Sequence, residues 1–411
     1  MASEVKIKNI LFNLLIVLVL VFLFDFFVKP YERFNFNFVN KIIEKTRQAQ
    51  DIAPDRLFVN AWRMAKIEYV DETMNNQDWY RWRSRYVKHI KNIDDANVAI
   101  NSMLASLNDP YTKFLKSKSF SEQKVILDSK ITGVGVMFNK SGDEIVVNHV
   151  LKNSPAQSQH IMPGDSIVSI NNKLVKDMTS DEIHSYIESA KDKEIKLVIK
   201  RGDEIIVKDL EKKEIPIDTM DYRITKDNIG IIYLANVMGE KAVSDFAKIL
   251  IKTNDTKGII IDLRNNYGGI LANAVLMADF MVLDEKKILR LDTRNSNSLE
   301  VYADDGVIFK EKPIVILINN KTASAAEILA GVLKCSAGAI LVGENTFGKN
   351  SIQQVIPMTN STGMMLTSAK YILPDGADIH NEGIVPDYVV KSEDAMKEAT
   401  KLINQVVKKG K

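Results

Sequence analysis

Two runs of apolar residues at helical spacing follow the N-terminal segment of the chain. The first consists of Leu57, Val59, Trp62 and Ile67. The second is strictly periodic and consists of Ile93, Ala96, Ile100, Met103 and Leu107. The step Asn108-Asp109-Pro110 then ends the pattern with turn chemistry. We therefore predict a helical region over residues 31–123, with Trp79 and Trp82 packed in its core.

Beyond this region, from 124 to about 215, the pattern changes to short apolar runs separated by turns. Turn chemistry appears at Met162-Pro163-Gly164-Asp165 and at Ser154-Pro155-Ala156. The runs predict strands over 132–138, 144–147, 166–170 and 195–199, with one helix over 180–190. These residues are predicted to form a small β-rich domain.

Continuous apolar runs alternate with helical patterns from residue 228 onward. The predicted strands are 229–234, 258–263, 314–318 and 340–342, and the predicted helices are 240–252, 270–282 and 324–334. Such strands between helices are typical of an α/β sheet covered on both faces. We assign residues 216–395 to this core and 396–411 to a C-terminal helix or tail.

The N-terminus carries an apolar segment at residues 10–28, interrupted only by Asn13 and Asp25. It is about as long as a bilayer requires. The segment is not followed by the small-residue cleavage site of a signal peptide. An uncleaved membrane anchor over residues 1–30 is therefore predicted.

Composition removes several classes of function. Among the 411 residues, positive and negative side chains nearly cancel to a net charge of +2, which gives no basic field for nucleic acid. The single cysteine, Cys335, excludes intramolecular disulfides and thiolate zinc clusters, and its apolar helical context predicts a small packed hydrophobe.

Candidate chemistry begins with a serine, because none of the five histidines lies in a recognisable motif. Neither Gly-x-Ser-x-Gly nor His-Glu-x-x-His occurs. Ser324 lies between a buried strand and the first turn of a helix, whose free N–H groups suit an oxyanion. The same position suits an ordinary helix cap, and the segment alone leaves both interpretations open.

A second segment, ending in Lys349, follows the next buried strand. Together the two segments contain Ser324, Ala325, Glu327, Ile328, Phe347, Gly348, Lys349 and Gln353. This set closely resembles the motif of the C-terminal processing peptidases, a serine peptidase family with a Ser/Lys dyad. The resemblance covers nearly all of the chain outside the anchor and includes residues 69–71, 109–112, 262–269, 370–371, 374–376 and 383–387.

The resemblance implies a role for each matched residue. Ser324 is the nucleophile, Lys349 the general base, and Gln353 holds the lysine amine. The oxyanion donors come from the turn Gly268-Gly269 and from the amide of Ala325, and which glycine donates stays open. Because lysine ordinarily ionises near 10.4, its pKa must fall to roughly 7 or 8 in an apolar pocket, to which Phe347 and Ile352 are expected to contribute.

The β-rich segment resembles a PDZ domain inserted before the core. In such a domain a glycine-rich loop offers backbone N–H groups to a carboxylate while a strand edge pairs with the peptide. Here the candidate loop is Gly133, Val134, Gly135 and Val136; a plain strand start with two glycines is the alternative. Arg201 is a candidate for coupling this domain to the core, and an ordinary surface arginine is equally consistent with the sequence.

The expected fold is therefore multidomain α/β, with a crotonase/ClpP-like peptidase core, an inserted PDZ domain and an N-terminal helical region. The implied partners are proteins with accessible C-termini and the membrane, while a homo-oligomer or an activating adaptor stays open. No nucleic acid, cofactor or metal is expected. The implied location is the bacterial cell envelope, with the anchor in the inner membrane and the peptidase outside the cytoplasm.

Two other functions compete with the peptidase. A silent or partner-activated PDZ adaptor would keep the PDZ domain and the anchor, whereas an acyl-CoA enzyme of the crotonase type would leave Lys349 unexplained. Several positions also depart from the family pattern and could alter loop geometry: Asn265, Tyr267, Thr322, Ala326 and Asn350.

Overall fold

A computed structural model describes residues 52–409 apart from 118, 121–122, 124–129, 142–143, 177, 179–181, 184–185, 188–192, 217–218, 295–297, 305, 310–311 and 360. The predicted anchor lies outside the described residues. Within the described part, no helix combines the length and the apolar character needed to cross a membrane.

In the described part of the helical region the first helix begins with Pro54, in the first turn where its missing N–H costs nothing. Its elements are α1 (Pro54–Glu68), α2 (Tyr80–Tyr86), a short 3₁₀ turn (Val87–His89) and α3 (Ile93–Ala105). Asn92 caps α3 by accepting a 2.9 Å hydrogen bond from the amide of Asp95. Trp79 and Trp82 are 4% and 8% exposed, which confirms that they pack in the core.

This region does not form a core by itself. It continues into β1 (Lys113–Leu115), which pairs antiparallel with β18 (Gly363–Ile372) of the C-terminal half. Met364 and Leu366 of β18 lie in the same hydrophobic core as the tryptophans. The helical region and the C-terminal half therefore share buried surface.

The inserted domain contains a five-strand path, with order β3-β4-β5-β7-β8, and a short strand β6 paired to β5. Its elements are β2 (Lys130–Gly133), β3 (Val136–Ser141), β4 (Glu144–Val150), α4 (Pro155–Ser158), β5 (Ser166–Ile170), β6 (Lys173–Leu174), β7 (Glu194–Arg201), β8 (Glu204–Glu211) and β9 (Lys213–Pro216). Strands β2 and β9 pair antiparallel, so the two ends of the insertion lie side by side. The prediction of one continuous strand over 132–138 is wrong. The extended conformation is interrupted between β2 and β3, where Gly135 has φ +83°.

The C-terminal half is built on a six-stranded sheet of order β10-β11-β12-β15-β16-β19, parallel from β11 onward. Its elements are β10 (Met220–Ile224), β11 (Gly230–Leu234), α5 (Ala242–Thr253), β12 (Ile259–Asp262), α6 (Leu271–Asp279), β15 (Ile314–Ile318), α7 (Ala325–Ala337), β16 (Ile340–Gly343), β19 (Tyr388–Val389) and α8 (Ala395–Lys409). Helices α5, α6 and α7 cover one face, and α8 covers the other with Ala399, Leu402 and Ile403. The prediction of a sheet covered on both faces is confirmed.

A second, antiparallel sheet flanks this core. Strands β13 (Lys287–Thr293), β14 (Ser298–Tyr302) and β17 (Ser351–Pro357) join β1 and β18 in it. The C-terminal segment 396–411 is not a free tail in its described part, because α8 packs on the parallel sheet. Cys335 is exposed near the end of α7, so the prediction that it is a packed residue is wrong.

Candidate active site

Ser324 lies at the first turn of α7, directly after the buried strand β15 and a tight turn. Its backbone has φ 56° and ψ −122°, whereas an ordinary N-cap is extended. A positive φ is uncommon for a residue with a side chain and marks a position that its surroundings hold firmly. Ser324 therefore stands at the start of α7 in a capping box with Glu327, but with a backbone conformation that an ordinary N-cap does not have.

The buried carboxylate of Glu327 holds this serine against the lysine segment. Its Oε2 accepts the amide of Ser324 at 2.8 Å and the amide of Lys349 at 2.9 Å. Its Oε1 accepts the Thr346 hydroxyl at 2.5 Å and the Gly348 amide at 2.7 Å. Glu327 is fully buried, and four donors compensate its charge. One side chain thus fixes the main chain of both predicted dyad residues.

The amine of Lys349 lies in a partly buried pocket. Burial lowers the pKa of Lys349, while the negative charges of Asp109 and Glu327 oppose this change and Lys113 adds to it. The amine is 4.5 Å from the ring centroid of Tyr111, a residue of the helical region. Phe347, which was expected to contribute to this pocket, is 53% exposed. Sequence reasoning missed Tyr111 in this role.

Gln353 lies on β17, one residue beyond a bulge in its pairing with β18. Its side-chain nitrogen donates to the hydroxyls of Ser351 at 3.0 Å and Thr367 at 3.1 Å. Its hydrogen bonds therefore lie within the strand pair formed by β17 and β18. Among the described residues, the hydrogen bonds include none from Gln353 to the Lys349 amine.

The glycine turn after β12 fits closely against the serine. A Cβ at Gly268 would lie 2.7 Å from the Ala323 carbonyl oxygen and 2.9 Å from the Ala325 nitrogen. The Gly268 amide already donates to Asn266 Oδ1 at 2.8 Å. Within the described residues, the amides of Gly269 and Ala325 appear in no internal hydrogen bond. They are therefore the better pair of donors for an oxyanion.

The departures from the family pattern leave this geometry intact. Asn265 has φ 62°, a conformation that asparagine tolerates almost as glycine does. The Thr322 hydroxyl donates to the Leu263 carbonyl at 2.9 Å and ties the serine turn to β12. Asn350 is fully buried and donates to Asp378 at 2.7 Å. Tyr267 is 66% exposed beside the glycine turn.

The candidate carboxylate loop of the inserted domain lies at an edge of its sheet. In the strand order of this sheet β3 stands at one end, next to β4. The loop is held by two main-chain hydrogen bonds, in which the carbonyls of Val134 and Gly135 accept the amides of Ala156 and Leu151, each at 2.9 Å. A strand at the end of a sheet is the position at which a peptide strand can be added.

Arg201 makes its contacts inside the same domain. Its guanidinium forms a bidentate ion pair with Asp165, at 2.7 and 2.8 Å, and donates to the His160 carbonyl at 2.8 Å. Burial alone would raise the pKa of Asp165. The hydrogen bonds donated by Arg201 have the opposite effect, and the pKa of Asp165 is lowered overall. These contacts stabilise the Pro-Gly-Asp turn.

Comparison with known proteins agrees with the fold. Residues 228–390 match the model of peptidase family S41, and residues 124–200 match the PDZ domain. The chain is 31% identical over 347 residues to the carboxyl-terminal-processing protease of Synechocystis sp., covering 82% of this chain and 81% of that protein. It is 32% identical over 326 residues to the carboxy-terminal processing protease CtpA of Bacillus subtilis, covering 77% and 68%.

A solved structure shares the same architecture. The photosystem II D1 C-terminal processing protease superposes with a TM-score of 0.56 at 28% identity, over 83% of this chain and 94% of that one. The parallel core, its glycine turn and the inserted PDZ domain thus define a serine peptidase of family S41. Within that family, the chain belongs to the carboxyl-terminal-processing proteases. It is a C-terminal processing serine protease.

Proposed function

We propose that Ser324 is the nucleophile of this protease and Lys349 its general base. The observation that carries the proposal is the buried Glu327 carboxylate, which binds the amides of both residues and so brings the two segments together. Partial burial of Lys349, which lowers its pKa, supports a neutral amine able to accept a proton.

The proposed reaction proceeds in two stages. Neutral Lys349 removes the Ser324 hydroxyl proton as the oxygen attacks the scissile carbonyl, and the resulting ammonium returns that proton to the leaving amine. The acyl-enzyme is then hydrolysed by a water that the same lysine deprotonates. The amides of Gly269 and Ala325 stabilise the oxyanion of each tetrahedral intermediate. Gln353 stabilises the strand pair β17–β18, which follows the lysine in the chain.

The test is cleavage of a disordered protein by the detergent-solubilised full chain, with products identified by intact mass. We expect Ser324→Ala and Lys349→Ala each to lose about 10³-fold or more in kcat/KM. Ser336→Ala and Lys334→Ala, at the far end of α7, are the matched controls and should retain activity. Equal cleavage by wild type and both site variants would overturn the dyad and favour the adaptor hypothesis.

We further propose that the PDZ loop from Gly133 to Val136 binds the substrate's terminal carboxylate. The position of β3 at the end of the strand order and the hydrogen-bonded carbonyls of the loop support this role. Two substrates that differ only in a free or an amidated C-terminus test it. The free acid should be cleaved at least tenfold more efficiently at limiting concentration, and equal rates would contradict carboxylate capture.

Membrane attachment through residues 10–28 is also proposed, on the length and apolar character of that segment. The protease domain would then act outside the cytoplasm, in the cell envelope. Alkaline carbonate extraction separates the outcomes. The full chain should stay with the membrane and a variant lacking residues 2–30 should be released, whereas release of both would contradict an anchor.

A further inference from the structure

Two motifs of the helical region, residues 69–71 and 109–112, take no part in the reaction proposed above. They meet at Thr367 of β18. The Val70 amide donates to the Thr367 carbonyl at 2.9 Å, and the Thr367 amide donates to the Thr112 hydroxyl at 3.1 Å. The Thr367 hydroxyl in turn accepts from Gln353. Both motifs are thus hydrogen-bonded to β18 and, through the Thr367 hydroxyl, linked to Gln353 of β17.

The turn that carries Tyr111 is rigid. Asp109 accepts the Tyr111 amide at 2.9 Å and the Thr112 hydroxyl at 2.7 Å. The main chain at Tyr111 is therefore held by two contacts of the Asp109 carboxylate.

We propose, given that Lys349 is the base, that Tyr111 is its positioning residue: the ring face holds the ammonium form and sets the pH at which the base becomes neutral. An ammonium 4.5 Å from a ring centroid lies within the range of a cation–π interaction. The same ring covers one side of the amine and limits its hydration. The helical region thus contributes directly to the catalytic site.

Other charges facing Lys349 belong to three different elements. Asp109 lies in the turn, Glu327 on α7 and Lys113 on β1. The phenol of Tyr111 is neutral, since burial and the charges of Asp109 and Glu327 raise its pKa. Substituting the ring alone leaves these three charges in place. A shift in the ionisation of Lys349 can then be assigned to the ring.

The experiment compares Tyr111→Leu with Tyr111→Phe in the full chain. Leucine keeps apolar cover but removes the ring, so the charged amine loses stabilisation and its pKa falls by about half a unit to one and a half units. Phenylalanine keeps the ring, so the pKa stays at the wild-type value. Competitive acetylation across a pH series, with the Lys349 peptide quantified by mass spectrometry, reads this pKa in a Ser324→Ala background without catalysis.

The second readout is the acidic limb of the pH profile of kcat/KM, measured with Ser324 present. This limb should move to lower pH in Tyr111→Leu by the same amount and should keep its position in Tyr111→Phe. Tyr80→Leu is the matched control, because Tyr80 also contacts a lysine amine, that of Lys66, in the helical region. It should move neither readout. Thermal unfolding of each variant checks that the fold is retained.

Three results would overturn the proposal. The Lys349 pKa could be the same in the leucine variant and the wild type, or the phenylalanine variant could shift as far as leucine. A pKa that shifts while the kcat/KM limb stays in place would also overturn it, and would count against Lys349 as the base. The first two results leave the dyad intact, so the two failures are distinguishable.

Discussion

At the scale of single residues, burial of Lys349 should reduce stability at neutral pH. A lysine whose pKa falls on folding binds fewer protons in the folded than in the unfolded state, so wild-type stability rises with pH between the lowered value and 10.5. Lys349→Met removes this cost. It should raise the melting temperature at pH 7, by roughly 2–4 °C per kcal/mol relieved, and less so near pH 10.

Scanning calorimetry at both pH values measures the effect, with Lys334→Met as control, because the Lys334 amine is ion-paired to Asp387 at 2.9 Å. A Lys349→Met variant that is less stable than wild type at pH 7 would contradict an unfavourable burial of the charge.

Glu327 offers a second residue-scale prediction. Glu327→Gln keeps the shape but turns one acceptor into a donor, which then faces main-chain N–H groups. We expect about 1–3 kcal/mol lower stability from the mispaired amides and at least 10²-fold lower kcat/KM from the displaced serine and lysine. Glu344→Gln, which affects one 3.2 Å bond to Ser392, is the control. Wild-type activity in Glu327→Gln would contradict the positioning role.

The motif around Ser324 and Lys349 could be predicted from sequence because its residues lie in two short segments. The contacts that complete the site could not. Tyr111 meets Lys349 only after β1 pairs with β18, and no local pattern reports that pairing. Glu327 was part of the motif, but three of its four hydrogen bonds depend on where the chain returns after β16.

At the scale of elements, Gly135 in the candidate carboxylate loop of the PDZ domain should tolerate no side chain. An alanine at Gly135, with φ +83°, would place its Cβ 2.2 Å from Ser154 Cβ. Gly135→Ala should weaken binding of a free C-terminal peptide at least tenfold. Gly164→Ala is the matched control, because Gly164 has φ +95° but nothing within 4 Å of the added atom.

Fluorescence anisotropy with a labelled peptide measures both affinities. A comparable loss in the two glycine variants would indicate general backbone strain and would contradict a specific role for the loop.

Burial explains only part of the accuracy of the predicted elements, because the missed strands β13 and β18 contain many buried residues. The run 314–318 coincides with β15, in which every residue is buried, because a continuous apolar segment between turns has few alternatives. Strands β13, β14, β17 and β18 were not predicted. β14 alternates exposed with partly buried residues, and β17 is mostly only partly buried, so the apolar signal is weak. Their register depends on each other and on β1.

At the scale of the whole molecule, the proposed catalytic site draws on parts distant in sequence. In this proposal the helical region contributes Tyr111, the parallel sheet the serine and glycine turns, and the antiparallel sheet Gln353. The PDZ domain is inserted where β2 and β9 pair, so its two ends lie side by side.

The most direct test of the central claim is the kcat/KM of Lys349→Arg on a disordered substrate with a free C-terminus. Arginine keeps the positive charge but cannot lose its proton near neutral pH, so it separates a base from a purely electrostatic role. If Lys349 deprotonates Ser324, activity falls about 10³-fold or more, as in Ser324→Ala. Activity within tenfold of wild type would contradict the Ser324–Lys349 dyad.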